Sequence, residues 1–196
     1  MKSSNSASLR YWIVGIQYLH LVESVAKQVT ETGNRFVVIS ENEIAAEKFD
    51  NETKWADHAL VIPLLFGFYH GIEVLLKGFL IANGASVKKT HRLSELLSRF
   101  KSIFPDSTLS SLLTPYIDMG QLKGPLEDFC KESNITIDNY YQSLKYPEST
   151  DGKVYDHIPL EYRGGAGVTF FKNLAEDIHE IRLEAVRLGR MIDKHA

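Results

Sequence analysis

One segment near the middle of the sequence limits the folds open to this chain more than any other feature. Between positions 64 and 82 the apolar residues leave almost no polar face: Leu64, Leu65, Phe68, Ile72, Leu75, Leu76, Phe79 and Leu80. A helix that is apolar nearly all round must be enclosed by other elements. The sequence therefore predicts a buried central helix, which ends at Asn83-Gly84 because such a pair is typical of a helix C-cap.

The same segment approaches the length that crosses a bilayer, about 20 residues. Pro63, His70, Glu73 and Lys77 interrupt it, and a charge at the middle of a bilayer costs roughly 2.5–3.5 kcal/mol on the insertion scale. The first eight residues are small and polar, without the apolar core of a signal peptide. We therefore expect a cytoplasmic protein that makes no contact with a membrane.

Apolar residues at helical spacing predict further helices on both sides of the central one. These helices cover residues 9–32, 41–54, 91–104 and 169–193, with short helical stretches at 108–116, 125–131 and 136–145. Residues 35–40 contain Phe-Val-Val-Ile, which fits a short strand or an apolar linker; we favour the linker because no comparable second strand follows. A turn-rich loop is expected at 148–168. Residues 1–196 are thus predicted to form a single all-α domain.

The composition excludes several classes of function. The chain has 22 basic and 25 acidic residues and a formal charge of −3, so any contact with nucleic acid must come from a local patch. Cys130 is the only cysteine, which excludes an intramolecular disulfide framework and a thiolate zinc cluster. The histidines lack metal-ligand spacing, and a P-loop is absent. We therefore predict no metal and no cofactor.

The polar residues of the central segment form the first candidate site. His70, Glu73 and Lys77 follow one another at steps of three and four, and Tyr69 lies four residues before Glu73, so these residues share one stripe of the helix. Glu73 and Lys77 also form an i,i+4 pair in the favourable orientation. His91 lies near the start of the next predicted helix, where anions are favoured. Two interpretations stay open: a salt bridge inside a bundle, or a groove that receives a phosphate or a base.

A second candidate site lies in the segment from 140 to 146. Tyr140, Tyr141 and Tyr146 accompany Lys145 there. Aromatic rings beside a cation suit the stacking of bases together with phosphate contact. Ordinary packing, with the tyrosine hydroxyls reaching water, explains the same residues equally well.

Two weaker motifs lie near the C-terminus. A glycine-rich stretch, 163–167, precedes the last predicted helix and could hold a phosphate. Phe170 stands where a dinucleotide fingerprint needs its third glycine, and no βαβ unit surrounds the motif. We therefore expect a flexible loop at 163–167. Arg190 and His195 form an Arg-x(4)-His spacing, but roughly one such match is expected by chance in a chain of this composition.

Two of these regions resemble the HEPN superfamily, the higher-eukaryote and prokaryote nucleotide-binding domains. The first is Glu73-Val-Leu-Leu-Lys77, followed by Gly84 and by Thr-His-Arg-Leu-Ser-Glu-Leu-Leu at 90–97. The second is the tyrosine-bearing stretch from Tyr140 to Pro147, which is similar to a later HEPN helix followed by Arg-Tyr-Pro, with Lys145 in the arginine position. The resemblance covers roughly residues 60 to 150.

The resemblance implies an antiparallel up-and-down bundle of four to five main helices with short extra helices, often dimeric. It also implies two branches of function. One branch consists of metal-independent ribonucleases of toxin and defence systems, which use an Arg-x(4–6)-His motif. In that case His195 would transfer a proton and Arg190 would stabilise the charged phosphorane-like state. The other branch binds nucleotides or partner proteins without cutting.

These inferences together predict a HEPN-like protein that binds a nucleotide or RNA in a prokaryotic defence or toxin–antitoxin setting. We expect a homodimer, with an antitoxin or other protein as a further partner. The residues predicted to form a basic, aromatic-edged groove are Lys77, His91, Lys145 and Tyr146, together with Glu73 and Tyr140. Two alternatives stay open: a metal-independent endoribonuclease toxin that uses Arg190 and His195, and a non-catalytic scaffold for protein interaction.

Overall fold

The computed structural model describes residues 2–87, 90–122 and 124–194. Within these ranges the chain forms α-helices and short 3-10 helices and no strand, so the all-α prediction is confirmed. The α-helices are α1 (Lys2–Glu31), α2 (Ala46–Thr53), α3 (Asp57–Ala82), α4 (Leu93–Ile103), α5 (Thr108–Ile117), α6 (Pro125–Glu132), α7 (Tyr140–Ser143) and α8 (Gly164–Lys194). The 3-10 helices are Ile137–Asn139 and Ile158–Leu160.

The central helix α3 lies inside the bundle, as its apolar sequence predicts. It packs along α1 on one side and against α4 on the other, while α1 also packs along α8. Trp12 of α1 lies beside Gly78, and Val22 of α1 lies beside Gly67. Residue numbers therefore rise along α1 as they fall along α3, so the two helices are antiparallel.

Glycine allows α1 and α3 to approach closely. A β-carbon at Gly78 would lie 2.6 Å from the Cδ1 atom of Trp12, and one at Gly71 would lie 3.1 Å from the Cβ atom of Tyr18. Distances this short leave no room for a side chain between the helices. The close contact between α1 and α3 therefore depends on small residues.

Helix α3 is the one described helix that is long and apolar enough to cross a membrane by length and composition. Its most apolar window has a mean hydropathy of 1.9, and 61% of that window is buried inside the protein. Asp57, Glu73 and Lys77 are also buried within this helix. These are properties of the core helix of a bundle.

The loop predicted at 148–168 is wrong in its extent. A 3-10 helix interrupts it at Ile158–Leu160, and α8 begins at Gly164 rather than at residue 169. The glycine-rich stretch is therefore the first turn of α8 and not a flexible loop. The sequence signal failed because glycine is a poor helix former, whereas tertiary hydrogen bonds fix this turn.

Those hydrogen bonds converge on Asp57, at the start of α3. Its fully buried carboxylate accepts from the backbone amides of Tyr162 and Arg163, at 2.9 and 2.7 Å. The side-chain amide of Asn34 donates to the same carboxylate at 2.8 Å and to the carbonyl of Gly164 at 3.2 Å. A β-carbon at Gly167 would collide with Asn34. The protein's own carboxylate thus binds the backbone amides at the glycine-rich stretch, where the sequence alone allows a phosphate.

Other boundaries also differ from the prediction. The helix expected at 41–54 is limited to α2, and the helix expected at 91–104 begins at Leu93. The sequence also predicts Thr90 as the N-cap of this helix, but its hydroxyl accepts from the amide of Arg92, one residue before α4 begins. Residues 35–40 have no regular structure, which confirms the linker interpretation.

Candidate functional site

A buried carboxylate organises the polar stripe of α3. Glu73 is 2% exposed and accepts hydrogen bonds from three side chains that lie on three different parts of the chain. The Nζ atom of Lys77 donates to Oε1 at 2.6 Å, Nδ1 of His91 lies 2.9 Å from Oε2, and the hydroxyl of Tyr140 donates to Oε2. These residues are the Glu73 cluster: Glu73, Lys77, His91 and Tyr140.

The hydrogen bonds keep the carboxylate of Glu73 charged. Burial acts to raise its pKa, but the hydrogen bonds from Lys77, Tyr140 and His91 outweigh burial, and the pKa lies below its ordinary value. Burial raises the pKa of Tyr140 well above its ordinary value, and the neighbouring carboxylate adds to this effect. The tyrosine hydroxyl therefore keeps its proton and acts as a donor to the carboxylate.

His91 connects the buried carboxylate to the surface. Its side chain is 44% exposed, and its ring stacks on Tyr141 with ring centres 4.0 Å apart and planes inclined by 19°. Because Nδ1 faces Glu73, the carboxylate orients the imidazole. Nε2 of His91 makes no hydrogen bond to a described residue. An oriented imidazole with one free nitrogen can donate to an anion when protonated, or exchange a proton.

An aromatic and cationic surface begins at Tyr141. The Nζ atom of Lys145 lies 5.1 Å from the ring centre of Tyr141 and 5.2 Å from that of Tyr146. Hydrogen bonding to Tyr146, together with the electrostatic effect of Tyr141, raises the pKa of Lys145, so the ammonium stays charged. Lys145 is exposed, and Tyr146 is 50% exposed. Tyr141, Lys145 and Tyr146 are called the Tyr141–Tyr146 face below.

The aromatic surface continues onto α3 through a residue that sequence reasoning missed. Phe66 lies 6.0 Å from Tyr141 and stacks on His70, with ring centres 5.8 Å apart and planes inclined by 5°. Tyr18 of α1 meets the edge of His70 at 4.9 Å. Burial lowers the pKa of His70, whose Nδ1 atom is buried without a hydrogen-bond partner among the described residues. The sequence does contain a signal for this contact, because Phe66 and His70 are four residues apart and therefore neighbours on one face of a helix.

The structure brings most of the site residues predicted from the sequence together, but it places Arg190 elsewhere. The members of the Glu73 cluster lie together, and Lys145 and Tyr146 adjoin the cluster through Tyr141. Arg190 lies elsewhere, in a groove of about 530 Å³ between the start of α1 and the end of α8. His195 lies outside the described residues, so the Arg190–His195 spacing has no described geometry.

No metal site accompanies these residues. Among the described residues there is no group of three or more histidine, cysteine, aspartate or glutamate side chains that could hold a metal ion. Cys130 is a buried free thiol, and burial raises its pKa to about 11. The side chains that carry chemistry here are therefore an oriented imidazole, an exposed ammonium and aromatic rings.

The fold and the cluster define a small helical-bundle domain in which a buried carboxylate links the central helix to the segments that follow it. A comparison with protein families matches residues 43–157 to the HEPN domain. Since this range is more than half of the chain, the protein belongs to the HEPN family, and the resemblance stated from the sequence is confirmed. The match includes α2 to α7 and excludes α1 and α8. Among curated proteins and solved structures, none matches this chain.

Proposed function

We propose that this protein binds a nucleotide or RNA at the Tyr141–Tyr146 face together with His91. The observation that carries the proposal is the position of the Lys145 ammonium beside two tyrosine rings, one of which stacks on an oriented imidazole. Membership of the HEPN family independently suggests a function related to nucleotides or RNA. The proposal includes a cytoplasmic location and a prokaryotic defence or toxin–antitoxin setting.

Each exposed group has a role in this proposal. Tyr146 offers a ring face on which a base stacks, a contact worth about 1–3 kcal/mol per base. Lys145 supplies a point charge to a phosphate. His91 supplies a second donor from Nε2 when its ring is protonated, and the bond from Nδ1 to Glu73 fixes the direction of that donor.

The buried members of the Glu73 cluster act as positioning residues in this proposal. The ammonium of Lys77 is already neutralised by Glu73, and its side chain is 11% exposed. Tyr140 is 1% exposed and donates to the same carboxylate. Both side chains hold the carboxylate that orients His91, so we assign direct phosphate contact to Lys145 and His91 rather than to Lys77.

The test is a binding measurement with two probes, a short fluorescein-labelled single-stranded RNA and a fluorescent nucleoside triphosphate. Lys145→Met should weaken binding and lower the salt slope by about 0.7, the value for one phosphate contact on a single strand. Tyr146→Ala should weaken binding by about tenfold or more, since one stacked base is lost. Fluorescence anisotropy at several salt concentrations measures both effects.

Lys172→Met is the matched control, because Lys172 is also exposed but lies on α8. The control should bind as the unmodified protein does, with the same salt slope. The proposal fails if the unmodified protein binds neither probe at low salt. It also fails if Lys145→Met and Lys172→Met lose affinity equally, since that result indicates general charge attraction.

A further inference from the structure

The segment between α1 and α2 exposes apolar side chains in a regular pattern. Val37 is 57% exposed and Ile39 is 95% exposed, whereas the neighbouring Phe36 and Val38 are partly buried. From residue 35 to residue 39, exposure therefore alternates with a period of two, as it does along a β-strand with one face on a protein surface. Arg35 and Glu41 are exposed as well and share the odd-numbered face with Val37 and Ile39.

The backbone of this segment is also unpaired. Among the described residues, none hydrogen bonds to a backbone amide or carbonyl of residues 36–39. Phenylalanine, valine and isoleucine are strong strand formers, and the segment contains neither proline nor glycine. A row of free backbone groups with this composition is a template for pairing with another strand.

The segment is held in place at its start. Asn34 is 2% exposed and is hydrogen bonded through both ends of its side-chain amide to Asp57. Phe36 meets the ring of Tyr162 edge to face, with ring centres 5.6 Å apart. A segment that is already positioned loses less conformational entropy when it pairs as a strand, which favours association.

We propose that residues 35–41 pair antiparallel with the same residues of a second copy of this chain, with Val38 on the two-fold axis. In this register Arg35 of each copy lies opposite Glu41 of the other, so both ends of the ribbon have opposite charges. Val37 lies opposite Ile39 in the two symmetry-related central pairs. A parallel in-register arrangement would instead place Arg35 beside Arg35, where like charges repel.

The contact that Arg35 makes within its own chain does not oppose this pairing. Arg35 lies 3.3 Å from Glu52, and the two side chains are 61% and 43% exposed. An exposed ion pair of this kind contributes little to stability. Exchanging Glu52 for Glu41 of a second copy therefore costs little. This inference is independent of the proposed binding of nucleotide or RNA.

Cysteine cross-linking tests the register. Residues directly opposite in an antiparallel pair have Cα atoms about 4.5–5.5 Å apart, within the range of a disulfide. Val38→Cys should therefore form a disulfide-linked dimer under mild oxidation, visible on a non-reducing gel. Val25→Cys on α1 is the matched control, because Val25 is a partly buried valine, as Val38 is, and lies outside the proposed strand. Equal cross-linking of both variants would overturn the proposal.

A charge exchange tests the same pairing without a covalent bond. Val37→Lys and Ile39→Glu should each weaken dimerisation by about tenfold, since each variant replaces an apolar side chain by a charge in two symmetry-related cross-strand pairs. An equal mixture of the two variants should recover the dimer, because the lysine introduced at position 37 of one copy then lies opposite the glutamate introduced at position 39 of the other. Sedimentation velocity over a concentration series measures the dimer. A monomer at every concentration, or a dimer insensitive to both substitutions, would overturn the proposal.

Discussion

Replacing Glu73 by glutamine tests whether its carboxylate is the centre of the buried cluster. The substitution keeps the shape of the side chain but removes the charge that neutralises Lys77. Both side chains are nearly excluded from solvent, with 3% of Glu73 and 11% of Lys77 exposed. The variant therefore leaves an ammonium buried without a counter-charge, which is among the costlier changes that a protein core can receive.

The expected loss of stability in Glu73→Gln follows from the burial of both side chains. Removing one partner of a buried ion pair costs about 3–5 kcal/mol, and we expect about 3 kcal/mol for Glu73→Gln because the glutamine oxygen still accepts one hydrogen bond. Lys77→Met should cost less, about 1–2 kcal/mol. In that variant the carboxylate keeps the hydrogen bonds from Tyr140 and His91. The cluster thus predicts that replacing Glu73 costs more stability than replacing Lys77, although the two residues form one ion pair.

Urea unfolding measured by circular dichroism provides the assay. With a slope of about 2.5 kcal/mol per molar urea for a domain of this size, Glu73→Gln should lower the midpoint by about 1.2 M and Lys77→Met by about 0.4–0.8 M. Glu52→Gln is the control, since Glu52 belongs to an exposed ion pair, and its effect should stay within about 0.5 kcal/mol. A loss for Lys77→Met equal to or larger than that for Glu73→Gln would refute this account of the cluster.

Two further predictions concern acid and helix packing. Because the folded-state pKa of Glu73 lies below its ordinary value of 4.5, its contribution to stability is present above about pH 4.5 and is lost as the pH falls through the folded-state pKa. Urea midpoints from pH 7 to pH 3 should therefore fall less steeply in Glu73→Gln. The remaining decline reflects other carboxylates whose pKa is also lowered, such as Glu23, Asp151 and Glu184. Gly78→Ala should destabilise the protein by about 1–3 kcal/mol, because the added methyl group clashes with Trp12. Gly165→Ala is the control and should not destabilise the protein, because the space around Gly165 is open. Equal thermal midpoints for the two alanine variants would contradict the close approach of α1 and α3.

Local sequence patterns are sufficient to predict the main helices but not every residue at which a helix begins or ends. The apolar repeat located α3, and the Asn-Gly pair located its end, because both signals depend on neighbours within one helical turn. The start of α8 was missed by five residues, since its glycines are poor helix formers. The structure explains the difference, because the two residues just before α8, Tyr162 and Arg163, donate to Asp57, more than a hundred positions earlier.

For the candidate site as well, the sequence predicts one part and the structure is needed for the other. The i,i+4 spacing of Glu73 and Lys77 predicted their ion pair, and the structure contains it. The choice between a structural salt bridge and a ligand groove was left open by the sequence, because the two interpretations differ only in solvent exposure. The burial of Lys77 and the exposure of Lys145 therefore guide our assignment of phosphate contact to Lys145.

The sequence by itself determined that this chain is an all-α protein built round one buried helix, since helical periodicity and total hydrophobicity are properties of contiguous residues. Only the tertiary structure decided which distant groups share the carboxylate of Glu73. Tyr140 lies 67 positions after Glu73 and His91 lies 18 positions after it. A hydrogen bond needs its atoms within about 3 Å in a suitable direction, and that condition depends on how helices pack, which no local pattern specifies.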